Sequence, residues 1–487
     1  MAETIAHVLD RALVERPDAP AVVARSGRLT YRELDDAADR AAGALAGLGL
    51  RPGQRLAVSL PNDLDVVVAF HGAMRLGLVW VGLNSALAPP EKQQVIADCG
   101  ASVVLTDSAQ WRRLLASASA PPKVDVDPHA PAGIAYTSGT TGLPRGVVHS
   151  QHNLLLPGAV LVAERGYDES LRKGDCLPLT ILNLMVLTTL LTAQAGGCCV
   201  VMDRRDATGV LDWIRDEAVT VWNGVPTQLY DLARSHAERR PDVVTLREVW
   251  SGGGDCSDSL REEFLDAFGL SLRATYGLTE APTVVSIDPV GHEWRDGASG
   301  RVLPHLRVRV LDEAGNDAPA GGLGEICIEA TSSGDWASAW TPMLGEWRDG
   351  AVVQQPEALL RTGDLGTLDD AGWLSIRDRR KLVVVRGGAN IYPAEVERVL
   401  LSVPGVQAAA AFGVPHERLG EQLAAAVQRA PGQTVQVEAL VSACAAQLAR
   451  YKVPERWAVV DALPCNAMGK VVRTALPALL DAPSAVS

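Results

Sequence analysis

Residues 132–150 constrain the chain most. An apolar run at 132–136 leads into Ser138-Gly-Thr-Thr-Gly142, and Val147-Val148 leads out. Short hydroxyls and glycines in this density can wrap an anion with backbone N–H groups, since nothing bulky blocks the approach. Tyr136-Thr-Ser-Gly-Thr-Thr-Gly-Leu-Pro-Arg-Gly-Val-Val-His-Ser150 therefore reads as a strand, a phosphate-type loop, and then a strand or helix. It is not a Walker loop, because Arg145-Gly146 stands where Gly-Lys-Ser/Thr is needed. A Ser/Thr/Gly-rich surface turn is the plainer alternative.

At 487 residues the chain is too long for one ordinary core, so two or more domains are expected. A net charge of −13 with no basic run argues against a nucleic-acid partner. The eight cysteines include no C-x-x-C pair, and adjacent Cys198 and Cys199 suit buried thiols in a reducing cytoplasm better than a disulfide framework. The N-terminus lacks the basic-then-apolar pattern of a signal peptide. Residues 176–202 carry no charge, but Pro178, Asn183, Gln194 and Gly196-Gly197 punctuate them, so a buried strand–helix–strand is expected there and not a membrane span. Only six lysines occur, against 39 arginines, and Lys381 and Lys470 both fall in punctuated segments near the C-terminus.

The first half alternates strand and helix signals. Thr30-Tyr-Arg-Glu33 is a capping box followed by Leu34, Ala37, Ala38, Ala41, Leu45 and Leu48 at helical spacing, with Gly49 as the stop. Strands are expected at 55–60, 79–83 and 102–106, and a helix at 63–76, the pattern of a parallel sheet covered by helices. Alternating strands at 306–311 and 324–329 announce a smaller β-rich part, about 300–375. Beyond about residue 380, a strand at 382–385, a Gly-rich turn, a helix at 393–401, a strand at 406–414 and a helix at about 437–448 predict a separate α+β domain. The expected fold class is α/β, with a large N-terminal domain, 1–380, of parallel-rich sheets and a β-rich subdomain, then a small C-terminal domain, 381–487.

Six segments occur in one order: the loop above, Ser251-Gly-Gly-Gly254, Tyr276-Gly-Leu-Thr-Glu280, Arg361-Thr-Gly-Asp-Leu365, Asp378-Arg-Arg-Lys381 with Gly387-Gly-Ala-Asn-Ile-Tyr-Pro393, and Asn466-Ala-Met-Gly-Lys470. Together they resemble the AMP-forming adenylating superfamily of acyl-CoA and aryl-CoA synthetases, adenylation domains and beetle luciferase, from about Thr30 to Arg473. The resemblance implies that a carboxylic acid is joined to AMP with release of pyrophosphate, and that a thiol then displaces AMP, with ATP, Mg2+ and CoA required. A carboxylate attacking a polyanionic triphosphate depends on charge neutralisation and alignment.

By resemblance, Thr137, Ser138, Gly139, Thr140, Thr141 and Gly142 hold phosphates, with Arg145 closing the loop. Thr279 bonds the α-phosphate and Glu280 carries Mg2+. Adenine stacks on Tyr276, beside Gly277 and against the backbone of Gly252, Gly253 and Gly254. Asp364 accepts the ribose hydroxyls and Arg379 contacts the ribose. Lys470 bridges the attacking carboxylate and the α-phosphate, a task suited to a compact ammonium on a flexible stem. Lys381 is the hinge of a mobile C-terminal lid, and Gly387 and Gly388 enter the site for the thioester step. Ile181, Asn183, Trp222, Asn223 and Gly254 are acyl-pocket candidates, although residues 222–226 read equally as a core strand entering a turn.

Three departures from the family pattern occur, one of them at a pair of residues. Arg145 replaces lysine, Thr180 and Ile181 replace an aromatic–histidine pair, and Leu382 replaces an acidic residue after the hinge. The expected function is an AMP-forming acyl-CoA ligase. The alternatives are loading of a carrier protein, thioester formation from an adenylate supplied by a partner adenylating enzyme, and a non-catalytic nucleotide-binding relic.

Overall fold

The computed structural model describes residues 2–480 apart from 86, 88, 139–143, 236–242, 255, 283, 292–293, 349, 354–357, 380–381, 387–388, 417–418 and 467–468. Among the described residues the strands form four sheets of nine, seven, four and five strands. The first two are the parallel-rich layers foreseen from the alternation. In the seven-stranded sheet Arg55–Val58 runs parallel to Val79–Gly82 and Val103–Leu105. In the nine-stranded sheet Val221–Gly224 runs parallel to Arg172–Asp175 and Glu248–Ser251, and Leu272–Tyr276 follows.

Local signals explain several boundaries. Helix Tyr31–Gly47 starts at a complete capping box between Thr30 and Glu33, and buries the predicted Leu34, Ala37, Ala38, Ala41 and Leu45. Asp63 caps helix Leu64–Arg75 through the Leu64 amide. The uncharged stretch does pass from helix to strand, but the strand before it, Arg172–Asp175, is charged and ends before the stretch begins. The helical part runs Leu182–Met185, a π-turn at Val186–Leu190, then Leu191–Ala195, before strand Cys198–Val201. Among the described residues no helix is long and apolar enough to cross a membrane. Cys198 and Cys199 are buried thiols, and burial pushes Cys198 up to about 11.

The four-stranded sheet is the β-rich part: Leu306–Leu311, Gly324–Ala330, Leu360–Leu368 and Leu374–Arg379, all antiparallel. Between its second and third strands the chain leaves that sheet. Strand Gly345–Arg348 instead pairs with Pro144–Ser150 in the seven-stranded sheet, and Ala351–Val353 beyond it forms the edge. Gly146 permits this crossing, because a Cβ there would stand 2.8 Å from Ile134 and 3.0 Å from the Trp347 Cβ.

The C-terminal sheet carries Val384–Arg386, Ala389–Ile391, Val406–His416, Gly420–Arg429 and Arg456–Val460, with helices Pro393–Leu401 and Val437–Gln447 and a core of its own around Val396, Leu400, Leu423 and Leu440. Asp378, on the last strand of the four-stranded sheet, accepts a 2.8 Å hydrogen bond from the Ala394 amide at the start of helix Pro393–Leu401.

Candidate functional site

Strands Pro131–Ser138 and Pro144–Ser150 form an antiparallel hairpin, with Thr137 opposite Arg145 and Ser138 opposite Pro144. The sequence left the exit of the loop open between strand and helix, and it is a strand. Gly139, Thr140, Thr141 and Gly142 lie outside the described residues, as do Lys381, Gly387 and Gly388. After the hairpin a second capping box, Ser150 with Asn153, starts helix Gln151–Arg165.

The hairpin reaches the Tyr276–Glu280 segment through two side chains. His149 is fully buried and its Nε2 donates to the Thr279 carbonyl at 2.7 Å. A carbonyl accepts only, so the proton sits on Nε2, and Nδ1 has no hydrogen-bond partner among the described residues. Arg145 reaches the neighbouring residue: its Nη2 lies 2.8 Å from Glu280 Oε1, while its Nη1 lies 3.0 Å from Glu346 Oε1. The Glu280 side chain keeps 23% of its surface exposed, so it remains open to an incoming cation. Glu346 comes from the crossing strand and is nearly enclosed.

At the other end of the motif the Tyr276 hydroxyl donates to Asp364 Oδ2 at 2.6 Å, joining the nine-stranded sheet to the four-stranded one. Asp364 pairs with Arg379 across adjacent strands, which puts the two expected ribose contacts at one rung of the sheet. Beside them the Ser251–Gly254 turn leaves its strand with Gly253 at φ +77°. A Cβ on Gly252 would stand 2.9 Å from Thr275 Oγ1, and one on Gly254 3.2 Å from Pro226. Thr275 and Pro226 thus take the space that side chains at these two glycines would need. A part-exposed carboxylate suits Mg2+, which binds through one or two carboxylates together with substrate phosphates. The residues present fit an Mg2+-bound nucleotide.

The structure does not gather every expected residue. Lys470 is exposed, in a turn where its amide donates to Asn466 Oδ1 at 3.0 Å and its carbonyl accepts from the Asn466 amide at 2.8 Å. Trp222 is a core residue: it is fully buried among Val249, Leu229 and Phe264, and its ring covers Gly224. The core-strand reading of residues 221–224 is the one displayed.

Asn223 faces the opposite side of that strand and is tied down by the buried Lys173 ammonium, which donates to its Oδ1. Lys173 also lies 5.4 Å from the centre of the Trp250 ring, and Asp175 accepts from the Thr188 hydroxyl at 3.0 Å. Asn223 is thus locked in a polar cluster. Thr180 is likewise held in packing: its carbonyl accepts from Trp80 Nε1 at 3.2 Å, and the carbonyl oxygen sits where a Cβ on Gly82 would stand. Ile181 and Asn183 stay half-buried at the start of helix Leu182–Met185, and Asn183 Oδ1 is buried without a partner among the described residues.

Two site residues carried no role in the sequence. His149 lay inside the opening segment, where an isolated histidine between two strands' worth of apolar residues signals only burial. Glu346 had no signal at all, since its proximity depends on the strand crossing. Burial lowers His149 to about 4, and lowers His71 and His305 to about 3. Their ordinary value is 6.5, so below that pH the unfolded chain binds protons that the folded chain refuses. Stability should therefore be flat above about pH 6.5 and fall towards pH 4, by about 1.4 kcal/mol per pH unit for each histidine at the steepest. Urea midpoints measured across that window check this; a midpoint that stays constant would contradict it.

A family model described as AMP-binding enzyme matches residues 9–333, and one described as AMP-binding enzyme C-terminal domain matches residues 395–470. The chain is 31% identical to a fatty acid–[acyl-carrier-protein] ligase of Streptomyces coeruleorubidus, covering 94% of this chain and 93% of the relative. It is 31% identical to a long-chain-fatty-acid–CoA ligase of Mycobacterium tuberculosis, covering 92% of each. Its fold is similar to that of o-succinylbenzoate CoA synthetase from Bacillus subtilis in complex with an acyl-adenylate intermediate, with TM-score 0.85, 29% identity and coverage of 96% of this chain and 97% of that one.

Proposed function

The chain belongs to the AMP-forming adenylating superfamily, in its acyl-CoA ligase type, and from that premise we propose that it joins a carboxylic acid to AMP, releases pyrophosphate, and passes the acyl group to the thiol of CoA. One observation supports this most: Tyr276-Gly-Leu-Thr-Glu280 is held at both ends, by Asp364 on one side and by His149 and Arg145 on the other.

In the first step the acid's carboxylate attacks the α-phosphorus and pyrophosphate leaves. Mg2+, when bound, neutralises phosphate charge through Glu280. The chain's own groups do the rest. Thr279 donates its hydroxyl to the α-phosphate, with its carbonyl pinned by His149 so that the side chain keeps its direction. Asp364 accepts the ribose hydroxyls, and the Tyr276 hydroxyl bond orients that carboxylate. Lys470 approaches with the C-terminal domain, residues 381–487, and its ammonium spans the attacking and departing charge. The same domain turns about Lys381 for the thioester step, in which the CoA sulfur attacks the acyl carbon and AMP leaves.

Acid-dependent ATP–pyrophosphate exchange, followed by thioester formation with CoA, tests the reading; absence of exchange with every aliphatic, aryl and polycyclic acid offered would count against it. A carrier-protein phosphopantetheine is the second acceptor to assay, because one relative is a fatty acid–[acyl-carrier-protein] ligase. If exchange is absent but thioester forms from a supplied acyl-adenylate, the enzyme works with a partner adenylating enzyme. The buried thiols at Cys198 and Cys199 favour a reducing cytoplasm.

Removing the Tyr276 hydroxyl gives a smaller test. Tyr276→Phe keeps the ring but loses a hydrogen bond to a carboxylate, a loss of about 1.5–3 kcal/mol. The KM for ATP should rise by about tenfold or more with kcat changed less. An unchanged KM would remove Asp364 from the nucleotide site.

A further inference from the structure

We propose that Glu346 is a positioning residue for the magnesium carboxylate: by holding one arm of Arg145 it limits the grip of that guanidinium on Glu280, and so sets how much Mg2+ the nucleotide site needs. The inference rests on the reading of Glu280 as the Mg2+ carrier.

Glu346 is brought in by the strand that crosses to the seven-stranded sheet, opposite Val147 and one rung from Gly146. Its side chain is only 8% exposed, so its charge must be met by protein groups more than by water. It meets two. Oε1 faces Arg145 Nη1 at 3.0 Å, and Oε2 accepts from Arg348 Nε at 3.0 Å. Arg145 in turn divides its planar fork between Glu346 and Glu280. A guanidinium can bond two carboxylates from different nitrogens in a fixed plane, whereas an ammonium acts as a single compact charge.

The division has a consequence for the cation. An ion reaching Glu280 must loosen the bond from Arg145 Nη2 to Oε1, and the arginine that withdraws must stay neutralised. Glu346 is already in place to do that. Without its charge more of the attraction of Arg145 falls on Glu280, and the cation competes against a tighter pair. Arg348 acts in the opposite sense. It is 63% exposed and neutralises Glu346 from the far side, so its loss strengthens the pull of Glu346 on Arg145.

The test is a magnesium titration of the full-length protein binding a non-hydrolysable ATP analogue, followed by calorimetry, with thermal unfolding of each variant alongside. E346Q is expected to raise the half-saturating Mg2+ concentration about three- to tenfold, and R348Q to lower it about twofold. In an R145Q background the E346Q shift should vanish, because no cation then couples the two carboxylates. If Glu346 only neutralises two arginines in the sheet, E346Q lowers the unfolding temperature and leaves the Mg2+ midpoint where it was; that result overturns the proposal. Should E346Q fail to fold, an unmoved midpoint in R348Q overturns it equally. Nucleotide binding by the unaltered protein that ignores Mg2+ and survives E280Q would overturn the reading of the site itself, and this inference with it.

Discussion

Replacing Lys470 with methionine is expected to lower acid-dependent ATP–pyrophosphate exchange about 10²–10³-fold, the usual loss when one group aimed at developing charge is removed. Thioester formation from a supplied acyl-adenylate should stay within about threefold of the unaltered protein, because the second step no longer involves attack on phosphorus. Methionine keeps much of the volume of the side chain and discards the ammonium, with its charge and its hydrogen-bond donors. The residue is exposed in a turn closed by Asn466, so the substitution disturbs little packing. The bias of the chain sharpens the expectation: only six lysines stand against 39 arginines, and Lys470 is one of them. Equal losses in both half-reactions would point to a folding defect, and no loss in either would remove Lys470 from the reaction.

The second large effect concerns stability. Arg261, on helix Asp258–Phe268, is 1% exposed and donates to Asp288 Oδ2 at 2.7 Å and to the Ala298 carbonyl at 3.0 Å. Asp288 is 0% exposed, and the same oxygen accepts from the Ala274 amide at 2.8 Å. Arg261→Met leaves that carboxylate buried without its cation. The expected loss is about 3–5 kcal/mol, because desolvation of the remaining charge is no longer offset.

Adding Asp288→Asn should recover a large share of that loss, since the amide oxygen still serves Ala274 and no charge is left stranded. The first urea transition of the three proteins measures both numbers. A double variant as unstable as Arg261→Met alone would show that the arginine acts through packing, including its place 5.7 Å from the Trp294 ring. The pair lies at the point where the nine-stranded sheet turns from parallel to antiparallel, directly before Tyr276, so a loss of stability here should also loosen the nucleotide site.

Much of the fold was legible because it is written locally. The Thr30–Glu33 capping box, the apolar spacing behind it and the alternating strands at 306–311 and 324–330 each depend on a few neighbouring residues. Periodicity reports which residues share a face, and a cap reports where a helix begins. Periodicity does not report which sheet a strand joins. Nothing in residues 345–348 distinguishes pairing with the β-rich part from pairing with Pro144–Ser150, and it is the latter that occurs. Trp222 shows the same limit. An aromatic beside an Asn-Gly-Val-Pro turn suits a pocket wall or a core, and only the packing of its ring over Gly224 decides for the core.

By itself the sequence determined the order of the motifs, which carries the family resemblance, and the α/β character of the chain, because periodicity and caps are written over short stretches. Only the tertiary structure decided how those motifs constrain one another. Tyr276 meets Asp364 across 88 residues, and Arg145 meets Glu280 across 135. Hydrogen bonds and ion pairs act over a few ångströms in space, with no regard for distance along the chain, so the partners of a charged side chain are known only when the sheets that carry them have been brought side by side.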